Sequence, residues 1–438
     1  MKPLEVGLLG VGTVGTGVWT VLRRNEGEIT RRAGRPIRIT WIAERAIERA
    51  RELTRGAAGV NLTDDAAVVL AHPDIDIVVE LIGGLEPART FILRAIANGK
   101  HVVTANKALL ARHGNEIFAA AHAKGVMVAF EGAVAGGIPI IKALREGLTA
   151  NRIEWIAGII NGTSNFILSE MRATGAPFDT VLKEAQARGY AEADPTFDIE
   201  GIDAAHKLTI ISAIAFGVPM QFDKVYTEGI SKLTREDIRY AEELGYRIKL
   251  LGITRRTKTG IELRVHPTLI PTRRLIANVE GVMNAVLVKG DAVGPTLYYG
   301  AGAGAEPTAS AVIADLVDVT RMHTADPEHR VPHLAFQPDQ LSDLPFLPMG
   351  EVETSYYLRM RVQDRPGVLA DITRILADRE ISIDAMIQKE PSEGEEQTDI
   401  ILLTHRTIEK RVVDAIAKIE SLPTVNGKIV RIRLEELN

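Results

Sequence analysis

The residues Gly10-Val11-Gly12-Thr13-Val14-Gly15 follow the apolar run Val6–Leu9 without a spacer and open a segment with apolar Val14, Val18, Val21 and Leu22 at helical spacing. Strand, glycine turn and helix in that order constrain this chain more than any other feature. The first glycine permits a tight turn, the second lets a phosphate approach the backbone, and the third lets the helix lie close on the strand. An ordinary glycine turn would account for the spacing, but not for its place on the first strand of a βαβ series. The series continues through Ile37–Ala43, Ile75–Ile82, His101–Thr104 and Val126–Phe130. These runs are rich in Val, Ile and Leu without strict alternation, as strands buried on both faces of a parallel sheet should be. The expectation is an α/β fold that opens with a Rossmann-type doubly wound, dinucleotide-binding domain over residues 1–134.

A length of 438 residues allows about two to four domains. Residues 135–321 read as a second domain of α+β or mixed character with strands at Ile153–Ile160, Ile261–Leu269 and Ala285–Lys289, its helix at about 305–321 expected to pack back on the first domain. Residues 322–350 hold Pro327, Pro332, Pro338, Pro345 and Pro348 and read as a linker. Residues 351–438 spell β-α-β-β-α-β, the ferredoxin-like order. A net charge of −5 argues against a nucleic-acid surface, and no run reaches the ~18–20 apolar residues of a membrane span. With no apolar signal core at its start, the chain is expected to be soluble and cytoplasmic, with no membrane partner. It contains no cysteine, so disulfides, thiolate metal sites and cysteine nucleophiles are excluded.

The chemistry-bearing residues concentrate in Gly189–Lys207, where five carboxylates precede one lysine. Asp203 and Lys207 are four apart and share a helix face with Ile210, Ile211 and Ile214. An ion pair that opens an apolar stripe belongs at the rim of a core or the floor of a cleft. A lysine held protonated there can give a proton to an oxygen that gains charge as hydride reaches its carbon; a solvated helix pair is the blander reading. Thr104-Ala105-Asn106-Lys107 closes a strand at the carboxyl edge where such sheets bind ligands, although Lys107 could simply open a surface helix. Gly300–Thr308 is a second glycine-rich loop, either a ligand contact or a flexible connection. At the end of the second strand Glu44 would suit a ribose 2′-hydroxyl and Arg45 a 2′-phosphate, so the cofactor is NADP or NAD with a lean to NADP. His329 and His333 have metal-ligand spacing but enclose Pro332, and read as solvated linker residues. His206 and the three tryptophans read as packing residues.

The run Ala185-x-x-x-Gly189-Tyr190-Ala191, then Asp194-Pro195, Asp198, Gly201-x-Asp203 and Lys207, resembles the signature of the homoserine dehydrogenase family. Asn106-Lys107, Phe130-Glu131 through Pro139, Asn161-Gly162-Thr163 and Gly302–Thr308 match in order, so the likeness spans about residues 1–320. It implies reversible reduction of L-aspartate 4-semialdehyde to L-homoserine, the branch step toward threonine, methionine and isoleucine. It implies Lys207 as proton donor with Asp203 and Lys107 beside it, and Glu192, Asp198, Asp203, Gly162 and Thr163 around the substrate. The cofactor would be held by Gly10, Gly12, Thr13, Val14, Gly15, Glu44, Arg45, Ile82, Gly83, Thr104, Ala105, Lys107, Gly189 and Gly304. Backbone carbonyls of Glu131, Val134, Gly136 and Ile138 would hold Na+ or K+. The C-terminal module resembles an ACT domain, with Asp364, Gly367, Val368 and Leu369 in the loop that takes an amino-acid effector, threonine in this family. The resemblance also implies that the α+β domain 135–321 is the catalytic and dimerisation domain, within a homo-oligomer, dimer or tetramer.

Two other dehydrogenases fit less well. Phosphoglycerate dehydrogenase carries its glycine loop mid-chain and uses a histidine acid, and aspartate-semialdehyde dehydrogenase needs the cysteine this chain lacks. A non-catalytic nucleotide and amino-acid sensor would leave the proton-donor position empty.

Overall fold

The computed structural model describes residues 2–389 and 395–438. The chain forms two compact units, one of Met1–Gly162, Asp203–Val225 and Val282–Leu344, the other of Thr163–Ile202, Tyr226–Gly281 and Pro345–Asn438. The stretch 135–321 is therefore shared between them.

In the first unit β1 (Leu4–Leu9), β2 (Ile37–Ala43), β3 (Asn61–Thr63), β4 (Ile77–Glu80), β5 (His101–Thr104) and β6 (Val128–Ala129) form a parallel sheet in the order β3-β2-β1-β4-β5-β6. This is the doubly wound order with its switch point between β1 and β4, as the alternation of apolar runs predicts. The short β3, polar in its sequence, is an addition that hydropathy does not reveal. The polar, arginine-rich residues 25–35 hold a helix, Glu26–Ala33, whose Ile29 and Ala33 enter the core. The helix Ala305–Met322 packs against Thr13–Arg24 and contributes Ala309, Val312, Ile313 and Leu316 to the nucleotide-domain core. Gly17 makes that contact possible: a Cβ there would lie 2.3 Å from the Ala305 carbonyl oxygen. Beyond the parallel sheet, Met283–Gly290 pairs antiparallel with Ile153–Ile159 and with Gly294–Ala301.

The segment 322–344 has only short turns, Pro327–His329 and Pro338–Gln340 among them. The expectation of a solvated His333 is corrected here. Its Nε2 accepts the Val128 N–H at 3.1 Å, its ring stacks on Phe118 at 5.1 Å, and burial pushes its pKa down to about 4. The imidazole supplies the acceptor that the backbone of edge strand β6 lacks.

In the second unit Tyr246–Arg256 and Ile261–Pro271 form an antiparallel hairpin. Ile261–Pro271 also takes Val425–Leu434 as a parallel neighbour through Thr268↔Arg433 and Leu269↔Leu434. From there the sheet continues through Glu353–Gln363 and Gln397–Thr404 to Ile383–Gln388. With helices Val368–Ala377 and Glu409–Glu420 these four strands complete the β-α-β-β-α-β module, closed over Tyr356, Leu358, Ile372, Leu402 and Ile419. Among the described residues no helix is long and apolar enough to cross a membrane.

A valine at Gly17 would drive its side chain into the Ala305 carbonyl. Gly17→Val should lower stability by about 1–3 kcal/mol, as overpacking does, and reduce the thermal unfolding midpoint; an unchanged midpoint would contradict the packing described.

Candidate active site

The three glycines of the first turn have different tasks. Gly10, at φ +91°, would put a Cβ 2.9 Å from the Leu81 carbonyl oxygen, and Gly15 would put one 2.1 Å from that of Gly10. Both are required by close packing of loop, helix and strand. Gly12 has nothing within 4 Å of an added Cβ, and as N-cap of Thr13–Arg24 it offers no side-chain acceptor to the first-turn N–H groups. An open glycine before uncapped helix N–H groups suits a pyrophosphate, so these residues fit a dinucleotide. Glu44 lies across this loop, one carboxylate oxygen accepting the Val11 N–H at 2.9 Å and the other the Ala46 N–H at 3.0 Å. Arg45 is exposed.

The carboxyl edge of β4 and β5 is held by a residue that hydropathy alone does not single out. Glu80 is fully buried at the end of β4. One oxygen accepts the N–H groups of Ile82 (2.8 Å) and Gly83 (3.1 Å), the other the Thr104 hydroxyl (2.7 Å). Thr104 Oγ1 accepts the Asn106 N–H at 3.0 Å, Asn106 Nδ2 donates to the Gly84 carbonyl at 2.7 Å, and Asn106 Oδ1 caps the helix Lys107–Lys124 through the Leu109 N–H at 3.1 Å. Ile82, Gly83, Thr104, Ala105 and Lys107 are thus parts of one hydrogen-bonded edge. A carboxylate closing an otherwise apolar strand was the available signal.

That edge delivers Lys107 to the acid predicted from sequence. Asp203 lies in the first turn of the helix Ile202–Phe216, where the helix dipole favours an anion. Its Oδ2 accepts from Lys207 Nζ at 2.6 Å and from Asn161 Nδ2 at 2.9 Å, and its Oδ1 stands 3.2 Å from Lys107 Nζ. Lys207 also donates to the Ile160 carbonyl at 2.7 Å. Asp203 and Lys207 are 6% and 8% exposed. The helix is buried around its whole circumference, not along one stripe as expected, because Leu208, Thr209 and Ser212 are enclosed too. Burial alone would raise the Asp203 pKa, but the charges of Lys207 and Lys107 outweigh it and hold the carboxylate well below the usual range. His206 packs its ring 4.4 Å from Phe222, and burial pushes its pKa down to about 4, as suits a neutral packing residue.

The remaining candidate residues make local contacts of their own. In the second unit Thr163 Oγ1 donates to the Tyr190 carbonyl at 2.6 Å, next to Gly189 at φ +74°. Ser164 Oγ donates to the Asp198 carbonyl at 2.8 Å, and Glu192 is exposed. Gly162, in the first unit, leaves only 2.6 Å between an added Cβ and the Val282 carbonyl oxygen. The loop before Gly304 packs closely on its neighbours, since a Cβ on Gly302 would lie 2.1 Å from the Asn284 side chain. Gly304, at φ +123°, caps the helix Ala305–Met322.

Around Glu131 the carboxylate accepts the N–H groups of Ile141 (2.9 Å) and Lys142 (2.8 Å), while its own N–H donates to Asp315 Oδ2 at 2.7 Å. Burial pushes both carboxyls up to about 7, with Glu131 adding to the shift at Asp315. Ala135 and Gly136 follow with positive φ of 54° and 45°, in the compact turn between Val134 and Ile138. No group of three or more His, Asp or Glu side chains able to hold a metal occurs among the described residues. In the ACT module Gly367, at φ +92°, is the uncapped N-cap of Val368–Ala377, and Asp364 Oδ1 accepts from Gln388 Nε2 at 3.3 Å.

Two outcomes follow from this geometry. Glu80→Ala would strand the Ile82 and Gly83 N–H groups and the Thr104 hydroxyl, so thermal unfolding should show a loss of about 1–3 kcal/mol; a neutral substitution would contradict the network. Asp203 has a lowered folded pKa, so its contribution to stability is fully present above its unfolded pKa of about 4 and lost as pH falls through the folded value. The difference in unfolding midpoint between the parent and Asp203→Asn should be widest near neutrality and narrow in acid; a difference independent of pH would contradict the ion-pair assignment.

Comparison with known proteins bears on both halves of the chain. Residues 10–131 match the family model "Homoserine dehydrogenase, NAD binding domain", residues 139–317 match "Homoserine dehydrogenase", and residues 356–424 match the ACT domain. The homoserine dehydrogenase of Pseudomonas aeruginosa is 64% identical over 438 residues, covering 100% of both chains. The crystal structure of a homoserine dehydrogenase from Thiobacillus denitrificans superposes with a TM-score of 0.95 at 76% identity, covering 100% of this chain and 99% of that one. A hyperthermophilic archaeal homoserine dehydrogenase, solved in complex with NADPH, is 25% identical with a TM-score of 0.63 and covers 73% of this chain and 98% of its own. The chain belongs to the homoserine dehydrogenase family of oxidoreductases, with an NAD(P)-binding domain, a catalytic domain and a C-terminal ACT domain.

Proposed function

We propose that the protein interconverts L-aspartate 4-semialdehyde and L-homoserine, with Lys207 as the proton donor to the aldehyde oxygen. The observation that carries this reading is the Asp203 carboxylate fixed between Lys207 and Lys107. The bound nicotinamide cofactor supplies the hydride. Asp203 keeps Lys207 protonated and, with the Ile160 carbonyl, sets its direction. As the carbonyl carbon is reduced its oxygen gains charge, Lys207 releases a proton to it, and in the reverse direction Lys207 accepts that proton. Lys107 adds a second positive charge beside the same carboxylate, which favours an oxyanion nearby. Glu192 and Asp198 are assigned to the substrate ammonium, with Asp203, Gly162 and Thr163 beside it.

The cofactor is assigned to Gly10, Gly12, Thr13, Val14, Gly15, Ile82, Gly83, Thr104, Ala105, Lys107, Gly189 and Gly304, with Glu44 and Arg45 at the adenosine ribose. NADP is the preferred form in this reading. Both oxygens of Glu44 already accept backbone N–H groups, and Arg45 is exposed to receive a 2′-phosphate. The carbonyls of Glu131, Val134, Gly136 and Ile138 are neutral, hard oxygen donors of the kind that suits Na+ or K+. The loop Asp364, Gly367, Val368 and Leu369 is assigned to threonine, whose carboxylate would meet the helix N-terminus freed by Gly367. The reading includes a cytoplasmic homo-oligomer.

The deciding assay mixes the protein with homoserine and NADP or NAD and follows absorbance of the reduced nicotinamide. Turnover is expected with a preference for NADP, and Arg45→Ala should erode that preference. Lys207→Ala should lower kcat by about 10²–10⁴-fold while NADPH still binds; a fully active variant would remove Lys207 from the mechanism. Threonine should inhibit, and insensitivity to it would sink the feedback assignment while leaving the dehydrogenase reading intact.

A further inference from the structure

Arg433, in the last strand of the ACT module, is fully buried. Its Nε and Nη2 donate to Glu409 at 2.9 and 2.6 Å, its Nη1 to Glu228 Oε2 at 2.8 Å, and its Nη2 to the Tyr226 hydroxyl at 3.0 Å. Tyr226 donates in turn to Glu228 Oε2 at 2.7 Å. Glu409 belongs to the ACT module, whereas Tyr226 and Glu228 belong to the segment that leads into the hairpin Tyr246–Pro271. A guanidinium carries its donors in one rigid plane, so Arg433 fixes the position of Glu228 relative to the ACT helix that carries Glu409.

Glu228 is also anchored at its backbone, its N–H donating to the Val265 carbonyl at 2.8 Å. The two residues after it hold the loop that carries Asp198. The Ile230 N–H donates to the Ile199 carbonyl at 2.8 Å. At Gly229 an added Cβ would lie 2.4 Å from the same Ile199 oxygen and 2.6 Å from Glu200 Cα. Downstream Gly201, at φ +79°, fits with only 3.1 Å to Val265 and 3.3 Å to Thr227 for an added Cβ. Residues 199–201, directly after Asp198, therefore lie on 227–230.

We propose that Glu228 and Arg433 are positioning residues for the substrate acid Asp198, so that the last strand of the ACT module takes part in setting the affinity for the amino-acid substrate. The inference rests on the assignment of Asp198 to the substrate ammonium made above. Glu228 and Arg433 act through Gly229 and Ile199 without touching substrate. A charge-assisted hydrogen bond weakens steeply with distance, so a small displacement of this loop is felt as weaker binding. Proton transfer at Lys207 does not pass through it. Loss of the positioning contact therefore raises KM for the amino acid and spares kcat.

The experiment is steady-state kinetics on the full-length Asp198→Ala, Glu228→Gln and Gly229→Ala variants, with thermal unfolding in parallel. Asp198→Ala should raise the homoserine KM. Glu228→Gln and Gly229→Ala should raise it about three- to tenfold, with kcat and the NADP KM within about twofold of the parent. A merely structural role would lower the unfolding midpoint and leave the homoserine KM unmoved. If Asp198→Ala raises that KM and the other two variants do not, the positioning role is overturned and the substrate assignment stands. If Asp198→Ala leaves it unchanged, the substrate assignment fails and takes the inference with it. Should Glu228→Gln not fold, Gly229→Ala decides, because its added methyl group presses on the Ile199 carbonyl and on Glu200 without removing a donor or acceptor of the Arg433 cluster.

Discussion

A carboxylate that is buried with two ammonium groups around it sets the terms for the first unit of this protein. Taking one of these charges out of water costs several kcal/mol, and removing one partner of a buried pair typically costs about 3–5 kcal/mol. Asp203 meets that cost with Lys207, Lys107, Asn161 and a helix N-terminus at once. To bring those groups together, the chain needs the end of the strand Ile153–Ile159, the start of the helix after β5, and the first turn of the helix Ile202–Phe216. The edge network of Glu80, Thr104 and Asn106 then becomes intelligible as support, since it fixes the helix start from which Lys107 projects.

In the second unit the same economy of buried charge joins the ACT module to the hairpin Tyr246–Pro271. Arg264 is fully buried between Glu262 and Glu435, at 2.9 and 2.5 Å. Arg433 is buried between Glu228 and Glu409, and Arg359 donates to Asp237 at 2.6 Å. Each of these groupings pairs an ACT residue with a residue of the segment 226–281. Together with the parallel pairing of Thr268 and Leu269 to Arg433 and Leu434, they make the ACT module a continuation of that sheet.

Much of this was legible in the residues. The order of apolar runs gave the parallel sheet, the glycine turn gave its first crossover, and the β-α-β-β-α-β pattern gave the last module, because buried strands and amphipathic helices leave periodic traces. Asp203 and Lys207 stood out as charges opening an apolar face. Hydropathy missed β3 and the strands Tyr246–Arg256 and Gly294–Ala301, which carry polar residues and turn formers. It also misjudged His333, whose burial depends on Phe118 and the Val128 N–H from distant parts of the chain.

Sequence by itself determined the strand-and-helix order of the parallel sheet and of the last module, the need for glycine in the first turn, and the absence of thiol chemistry. These are local properties, written in the size and polarity of neighbouring residues. Only the tertiary structure decided that Lys107 shares Asp203 with Lys207, that Glu80 rather than a surface residue organises the sheet edge, and that Arg433 reaches Glu228. Those pairings join residues about 24 to 205 positions apart, and long-range contacts between charged groups have no period or spacing by which a chain could announce them.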